Sequence, residues 1–336
     1  MKLLRKILFP IVPIYFIVTW LRNKLYDYGL KKSTSYDFPV ICVGNLSVGG
    51  TGKTPMIEYL IRILANSKKV ATLSRGYGRR TTGFILADET DNAITIGDEP
   101  YQFYRKFEDI LVAVDANRRR GIKELKSSTA TEVVLLDDAF QHRKITSGLS
   151  ILLTSFENLY SSDMVLPTGD LREPRSGAKR ADIIVVTKCP ESLSESAKIA
   201  TAKKLSLDLN QTLFFSWITY DQYVYGQTER EQLKSFKNQS VTVITGIAKP
   251  ELFLRYLNSK IVKYKHVKFN DHHNFSKSEI DNLKQSETII TTEKDYVRLA
   301  RHFLDSTTSL YYLPIEFKID KEQEFANLIL NYVKSS

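Results

Sequence analysis

The chain has 336 residues, enough for two domains of ordinary size, and its 43% hydrophobic and 26% charged residues with 15 Gly and 10 Pro exclude collagen-like, coiled-coil and wholly disordered chains. Of its net +10 charge, six units sit in residues 1–35, whereas a nucleic-acid binder spreads or stripes basic charge over its folded body, so no nucleic-acid partner is expected. Two cysteines, Cys42 and Cys189, give neither a disulfide framework nor a metal-ligand spacing, as in a reduced cytosolic protein without structural zinc.

The amino end holds Lys2, Arg5, Lys6, Arg22, Lys24, Lys31 and Lys32 against Asp27 alone. Between these charges Ile7–Leu21 is uncharged and broken by Pro10 and Pro13, shorter than the roughly 20 apolar residues a spanning helix needs. It mimics a signal peptide, but Thr19-Trp20-Leu21-Arg22 is no small-residue cleavage site. The expected structure is an uncleaved segment, peripheral or monotopic, on the inner face of a membrane. Trp20 and Tyr15 would sit at the interface and the basic residues would face anionic lipid. The alternative is a first helix buried on the protein's own core.

From residue 36 short β-branched runs alternate with amphipathic stretches, the pattern of a parallel sheet covered by helices. Strands are expected at 39–43, 70–73, 110–114, 133–136, 151–154 and 183–187, several apolar at every residue as in strands buried on both faces. Helices are expected at 55–66, 116–125 and 191–207. A second series follows Gln239, with strands at 241–245, 288–291 and 310–315 and helices at 250–257, 276–283 and 321–333. The polar stretch between the series marks a hinge. The expected organisation is a membrane-associated segment 1–35, an α/β nucleotide-binding domain 36–219, a linker 220–239 and a smaller α/β domain 240–336 that closes on the site.

The run from Pro39 to Pro55 is the most informative. A buried strand enters a Gly-rich loop, Ser47, Val48, Gly49, Gly50, Thr51, Gly52, Lys53, Thr54, and Pro55 stands in the first turn of the next helix, where proline fits. Such a P-loop wraps backbone N–H groups around a polyphosphate at a helix N-terminus. Lys53 reaches the β- and γ-phosphates of ATP and the Thr54 hydroxyl ligates Mg²⁺. Ser47 replaces the first glycine of the usual pattern, with Gly49 and Gly50 supplying flexibility. After the strand 133–136 come Asp137 and Asp138, at the carboxyl edge where ligands bind in open α/β sheets, and these are the expected metal-positioning acids.

Thr187-Lys188-Cys189-Pro190 lacks the acid that reads guanine, which favours adenine. Val48 stands where membrane-cycling partition ATPases carry an extra lysine, which argues against a bare ATPase switch and for a kinase.

The chain resembles the tetraacyldisaccharide 4′-kinases of lipid A biosynthesis. The resemblance rests on Gly44–Pro55, Ser74-Arg-Gly-Tyr-Gly-Arg79, Gly97-Asp-Glu-Pro100, Leu136-Asp-Asp-Ala-Phe-Gln-His-Arg143, Leu166-Pro-Thr-Gly-Asp-Leu-Arg-Glu-Pro174, Asp271-His-His-Asn-Phe275 and Thr292-Glu-Lys-Asp295, in order over most of the chain. It implies transfer of the ATP γ-phosphoryl group to the 4′-hydroxyl of a lipid-anchored glucosamine disaccharide 1-phosphate at the cytoplasmic face of a Gram-negative inner membrane, with no obligate protein partner. It also implies two P-loop-like α/β units. It assigns Asp98 as general base and His272 as its dyad partner, the choice between His272 and His273 following the motif. It further implies phosphate or substrate contacts for Arg75, Arg79 and Arg172. It leaves Glu99, His142, Glu293 and Asp295 without roles. The rival class is a membrane-attached P-loop ATPase switch with no small-molecule acceptor.

Overall fold

The computed structural model describes residues 5–247, 250–260, 263–271 and 273–336; Lys2 and His272, singled out above, lie outside them. A nine-stranded sheet is built from β1 (Val40–Asn45), β2 (Val70–Ser74), β3 (Ile85–Leu86), β4 (Leu111–Val114), β5 (Val133–Asp137), β6 (Leu149–Ser155), β7 (Ile183–Thr187) and β8 (Thr212–Tyr220), with one further strand from the carboxyl end. A six-stranded sheet contains β9 (Tyr223–Tyr225), β10 (Arg230–Gln232), β11 (Val241–Thr245), β12 (Tyr264–Lys268), β13 (Thr288–Thr292) and β14 (Ser309–Leu313).

The first sheet runs β15-β8-β7-β6-β1-β5-β2-β4-β3, β15 being Ile315–Ile319. Its strands from β8 to β4 are parallel, and the antiparallel β3 and β15 close the edges. Alternate side chains of β1 enter opposite cores, Val40 and Cys42 one, Ile41 and Val43 the other, so every residue is buried and no polar alternation marks the strand. β1 lies between β5 and β6, so the chain leaves its carboxyl end at the point where strand order reverses, the place where open α/β sheets bind ligands. The parallel, helix-covered architecture expected from the alternating pattern is present.

The boundaries at residues 220–239 and 240–336 need correction. The stretch after Tyr220 is not a free linker: β9 and β10 form an antiparallel hairpin on the second sheet, and Val224, Leu233 and Phe236 are buried in its core. Its polar composition reflects an edge, where most side chains face water. The chain then leaves the second sheet after Leu313. β15 pairs with β8, Phe317 opposite Ile218, and the helix Glu322–Ser335 packs Phe325, Ile329 and Val333 into the first core. Burial of Phe317, Phe325, Ile329 and Val333, with the Tyr332 hydroxyl accepting from the Val40 N–H at 3.1 Å, returns the carboxyl end to the first sheet.

At the amino end a 3₁₀ turn, Lys6–Ile11, leads into the helix Val12–Asp27. The alternative of a core helix fails, because Asn23 is its one buried residue while Ile14, Ile17 and Val18 are 63%, 57% and 59% exposed. Tyr15 is turned inward instead of joining Trp20 at an interface; its hydroxyl donates to the Arg172 carbonyl at 2.9 Å. Arg5 and Arg22 are likewise engaged by protein, Arg5 with Asp170 at 2.7 Å and Arg22 with the Gln141 carbonyl at 3.0 Å.

Candidate active site

The loop from β1 to the helix Lys53–Leu64 turns at Gly52, whose φ of 86° falls in the left-handed region that favours glycine. Asn45 Nδ2 donates to Thr51 Oγ1 at 2.7 Å, and Thr187 Oγ1 at the end of β7 donates to the Thr51 carbonyl at 2.8 Å. Lys188 reaches back to the Gly50 carbonyl at 2.6 Å. Thr187 and Lys188, whose sequence bears on the choice of base, thus also shape the loop, through contacts that no local pattern announces. On the other side Val48 N–H donates to the Asp170 carbonyl and Arg172 N–H to the Leu46 carbonyl, both at 2.7 Å, so the Leu166–Pro174 segment lies along the loop. Lys53 and Thr54 occupy the first turn of the helix.

Asp137 ends β5 and Asp138 follows it with φ 48°. The two acids differ. Asp137 is buried and its carboxyl is pushed up to about 7, chiefly by desolvation, with Lys53 opposing and Glu99 adding to the rise. Its Oδ1 is buried without a hydrogen-bond partner among the described residues. Asp138 is half-exposed, 3.6 Å from Lys53 Nζ, and accepts from Arg172 Nη1 through both oxygens at 3.0 and 3.1 Å. Behind Asp137 the buried Arg118 donates to the Asp115 and Asp137 carbonyls at 3.1 and 3.3 Å, a support no sequence pattern announced.

The three arginines separate. Arg172 reaches the site through Asp138, and Arg75 is exposed, its charge adding to the burial that chiefly depresses Arg118. Arg79 turns to backbone: it donates to the Gly83 carbonyl at 2.7 Å and the Val114 carbonyl at 3.5 Å, so its guanidinium holds its own loop instead of facing the phosphate site. His142 is half-buried, and desolvation with Arg118 nearby pushes it down to about 4, so it is neutral at physiological pH.

Asp98 opens the helix Asp98–Lys106, preceded by Gly97 at φ 97°. A side chain at Gly97 would approach the Tyr77 carbonyl to 3.0 Å, so glycine here lets the Ser74–Arg79 loop press against the turn that aims Asp98. Asp98 lines a cavity of about 1040 Å³ between the two sheets, with Tyr77, His273, Tyr296 and Arg298 also on its wall. His273 Nε2 lies 3.1 Å from both Glu279 oxygens and its ring stacks on Phe269 at 4.7 Å. Asp98 is paired with Arg298, whose Nε lies 3.1 Å from Oδ2 and whose Nη2 makes a second contact to the same oxygen. Its neighbour Glu99 pairs with Lys294 at 2.9 Å. Arg298 was not singled out from sequence; the Thr292-Glu-Lys-Asp295 motif beside it was the available signal.

A chain-length family model described as tetraacyldisaccharide-1-P 4'-kinase matches residues 4–334. The tetraacyldisaccharide 4'-kinase of Flavobacterium johnsoniae is 52% identical, the alignment covering 100% of this chain and 99% of that protein. The protein of the same name from Bacteroides thetaiotaomicron is 42% identical, with 99% and 94% covered. Among solved structures, the apo form of LpxK from Aquifex aeolicus in complex with ATP is similar at a TM-score of 0.80 and 29% identity, with 98% of this chain and 99% of that chain covered.

Proposed function

Because the chain belongs to the tetraacyldisaccharide-1-P 4'-kinase family, we propose the following course for its reaction, with Asp98 as general base and His272 as the base's partner. The protein is a transferase that moves the γ-phosphoryl group of ATP to the 4′-hydroxyl of a tetraacylated glucosamine disaccharide 1-phosphate, a step of lipid A biosynthesis. An ATPase switch without an acceptor is not favoured. The observation that carries the assignment of roles is that the adjacent acids Asp98 and Glu99 serve two places. Asp98 faces the cavity, while the charge of Glu99 is felt by Asp137 at the phosphate loop.

The Gly-rich loop cradles the ATP phosphates, with Lys53 over the β- and γ-phosphates. Thr54, Asp137 and Asp138 would hold Mg²⁺; the buried Asp137 oxygen, without a hydrogen-bond partner among the described residues, is suited to a cation, which would favour the ionised carboxylate. When bound, Mg²⁺ neutralises charge on the phosphates during transfer. Arg172, fixed through Asp138, adds positive charge at the same edge. The disaccharide occupies the cavity with its 4′-hydroxyl against Asp98, which takes the proton as the oxygen attacks phosphorus. Engagement of His273 by Glu279 and Phe269 supports His272 as the partner. The exposed apolar face of Val12–Asp27 rests in the cytoplasmic leaflet of the inner membrane, so that the acceptor is drawn from the lipid surface. The helix Ile7–Asp27 has the length and composition to cross a membrane, but its contacts through Arg5, Tyr15 and Asn23 tie it to the body and support the lying arrangement.

The test is kcat for Asp98→Ala, His272→Ala and the double variant, with ³²P from labelled ATP counted in lipid and in inorganic phosphate. General-base loss gives a fall of about 10²–10⁴-fold with ATP affinity retained, and the double is little worse than the worse single. Release of label only as inorganic phosphate by the unmodified protein would restore the switch reading. Loss confined to ATP affinity would move Asp98 into the nucleotide site.

A further inference from the structure

The Thr292-Glu-Lys-Asp295 motif begins the helix Glu293–Leu299, which belongs to the second sheet, yet its charged residues are spent on the helix Asp98–Lys106 of the first. Glu293 pairs with Lys106 at 2.7 Å, Lys294 with Glu99 at 2.9 Å and Arg298 with Asp98. Three ion pairs thus run along two short helices. The remaining charged residue, Asp295, faces the other way. It is fully buried, its Oδ2 accepts from the Gly246 N–H at 2.8 Å and the Thr292 hydroxyl at 2.7 Å, and its Oδ1 lies 3.5 Å from Arg298 Nη1. The ends of β11 and β13 therefore hold Asp295, which sets its negative charge beside the guanidinium without hydrogen-bonding it.

We propose that Arg298 is a positioning residue for phosphoryl transfer: seated beside the Asp295 charge on the second sheet, it fixes where Oδ2 of the Asp98 carboxylate stands on the first. Two of its nitrogens meet the same oxygen, Oδ2, and its side chain is 10% exposed, so the guanidinium has little freedom to follow a moving carboxylate. A planar fork held in this way defines where the carboxylate stands more tightly than a single point charge does. The consequence is that the base is set by the relation between the two sheets and not by its own helix alone. The proposal rests on the reading of Asp98 as the base.

The experiment measures kcat and KM for ATP in the full-length protein with a tetraacyldisaccharide 1-phosphate acceptor, for Arg298→Ala, Arg298→Lys, Asp98→Ala and the Asp98→Ala/Arg298→Ala double variant. A base displaced by about an ångström costs on the order of 10²-fold, so Arg298→Ala should lower kcat by about that factor while KM for ATP changes by less than about twofold. Arg298→Lys keeps the charge but not the fork and should recover about tenfold of the loss. The double variant should be no slower than Asp98→Ala, because a residue that acts only through the base has nothing left to position. A multiplicative loss in the double variant, a loss expressed in KM for ATP, or an Arg298→Lys variant as slow as Arg298→Ala with a lowered unfolding midpoint would overturn the proposal. Near-native kcat in Asp98→Ala would overturn the base reading itself, and that single variant is read without reference to Arg298.

Discussion

Lys53 Nζ lies 3.6 Å from Asp138 Oδ1, an oxygen that also accepts from Arg172 Nη1 at 3.0 Å. A lysine from the phosphate loop, an acid after β5 and an arginine from the Leu166–Pro174 segment are thereby linked before any nucleotide is considered. Asp138 holds the lysine in place but also draws on its charge, and a bound polyphosphate would compete for it.

Lys53→Ala and Thr54→Ala are accordingly expected to abolish turnover, because the contacts they remove act on charge that grows in the transition state. Steady-state kinetics at saturating Mg-ATP is the check. Near-native kcat in either variant would put the phosphates elsewhere.

Mg²⁺ dependence should change with pH through Asp137. Its folded value of about 7 stands above its unfolded value of 3.8, so folding takes up a proton, and the metal-free protein loses stability as pH rises from about 4 through 7. Mg²⁺ requires the ionised form, so its apparent affinity should weaken by roughly tenfold per unit below about pH 7. Mg²⁺ should also raise the unfolding midpoint more at pH 8 than at pH 6. Asp137→Asn should raise the Mg²⁺ requirement and flatten both trends; Mg²⁺ titrations that match the parent at both pH values would remove Asp137 from the metal shell.

Lys106 bridges two buried acids, Glu58 at 2.8 Å and Glu293 at 2.7 Å, with Gln102 Nε2 donating to Glu58 at 2.8 Å. Lys106→Met leaves Glu293 without its lysine and Glu58 with only Gln102 and, at 3.5 Å, Arg62, and should cost about 3–5 kcal/mol of stability. The loss should be smaller at pH 6 than at pH 8, since burial and the Glu58 charge push Glu293 upward and a protonated Glu293 no longer needs a cation. Urea unfolding at the two pH values measures this. A loss under about 1 kcal/mol at pH 8 would place the pair in the class of weak surface bridges.

Deletion of the amino-terminal segment would also remove the contacts of Arg5, Tyr15 and Asn23 to the Leu166–Pro174 segment. The combined substitution Ile14→Ser, Ile17→Ser and Val18→Ser leaves those contacts and removes exposed apolar surface alone. With about 1.5–3 kcal/mol for burying each such side chain fully, sedimentation with anionic vesicles should fall by well over tenfold. Undiminished sedimentation would locate the membrane contact on another face.

The parts of the site that could be read from the sequence are those made within one short stretch. Strand, Gly-rich loop and helix from Val40 to Leu64 are contiguous, and the residue types there follow the local pattern of a phosphate-binding loop. Asp137 and Asp138 were legible for the same reason, as carboxylates at the end of an apolar run. Tyr15 was read only by its amphipathic character, which suits an interface and a hydrogen bond to the Arg172 carbonyl equally well. Arg79 was read by its glycine-rich surroundings, which serve a phosphate-binding loop and a loop that binds its own carbonyls alike.

The sequence by itself determined the phosphate loop, its acids, the parallel first sheet and the apolar amino end, because these follow from local composition and periodicity. Only the tertiary structure decided that β15 and the last helix return to the first core, that the polar stretch after Tyr220 is a hairpin, and that Arg298, Lys294 and Glu293 meet Asp98, Glu99 and Lys106. Ion pairs between distant elements carry no period, and an apolar strand is equally apolar against either sheet. Their partners are fixed only when the whole chain has packed, by which faces remain to be buried and which charges remain to be matched.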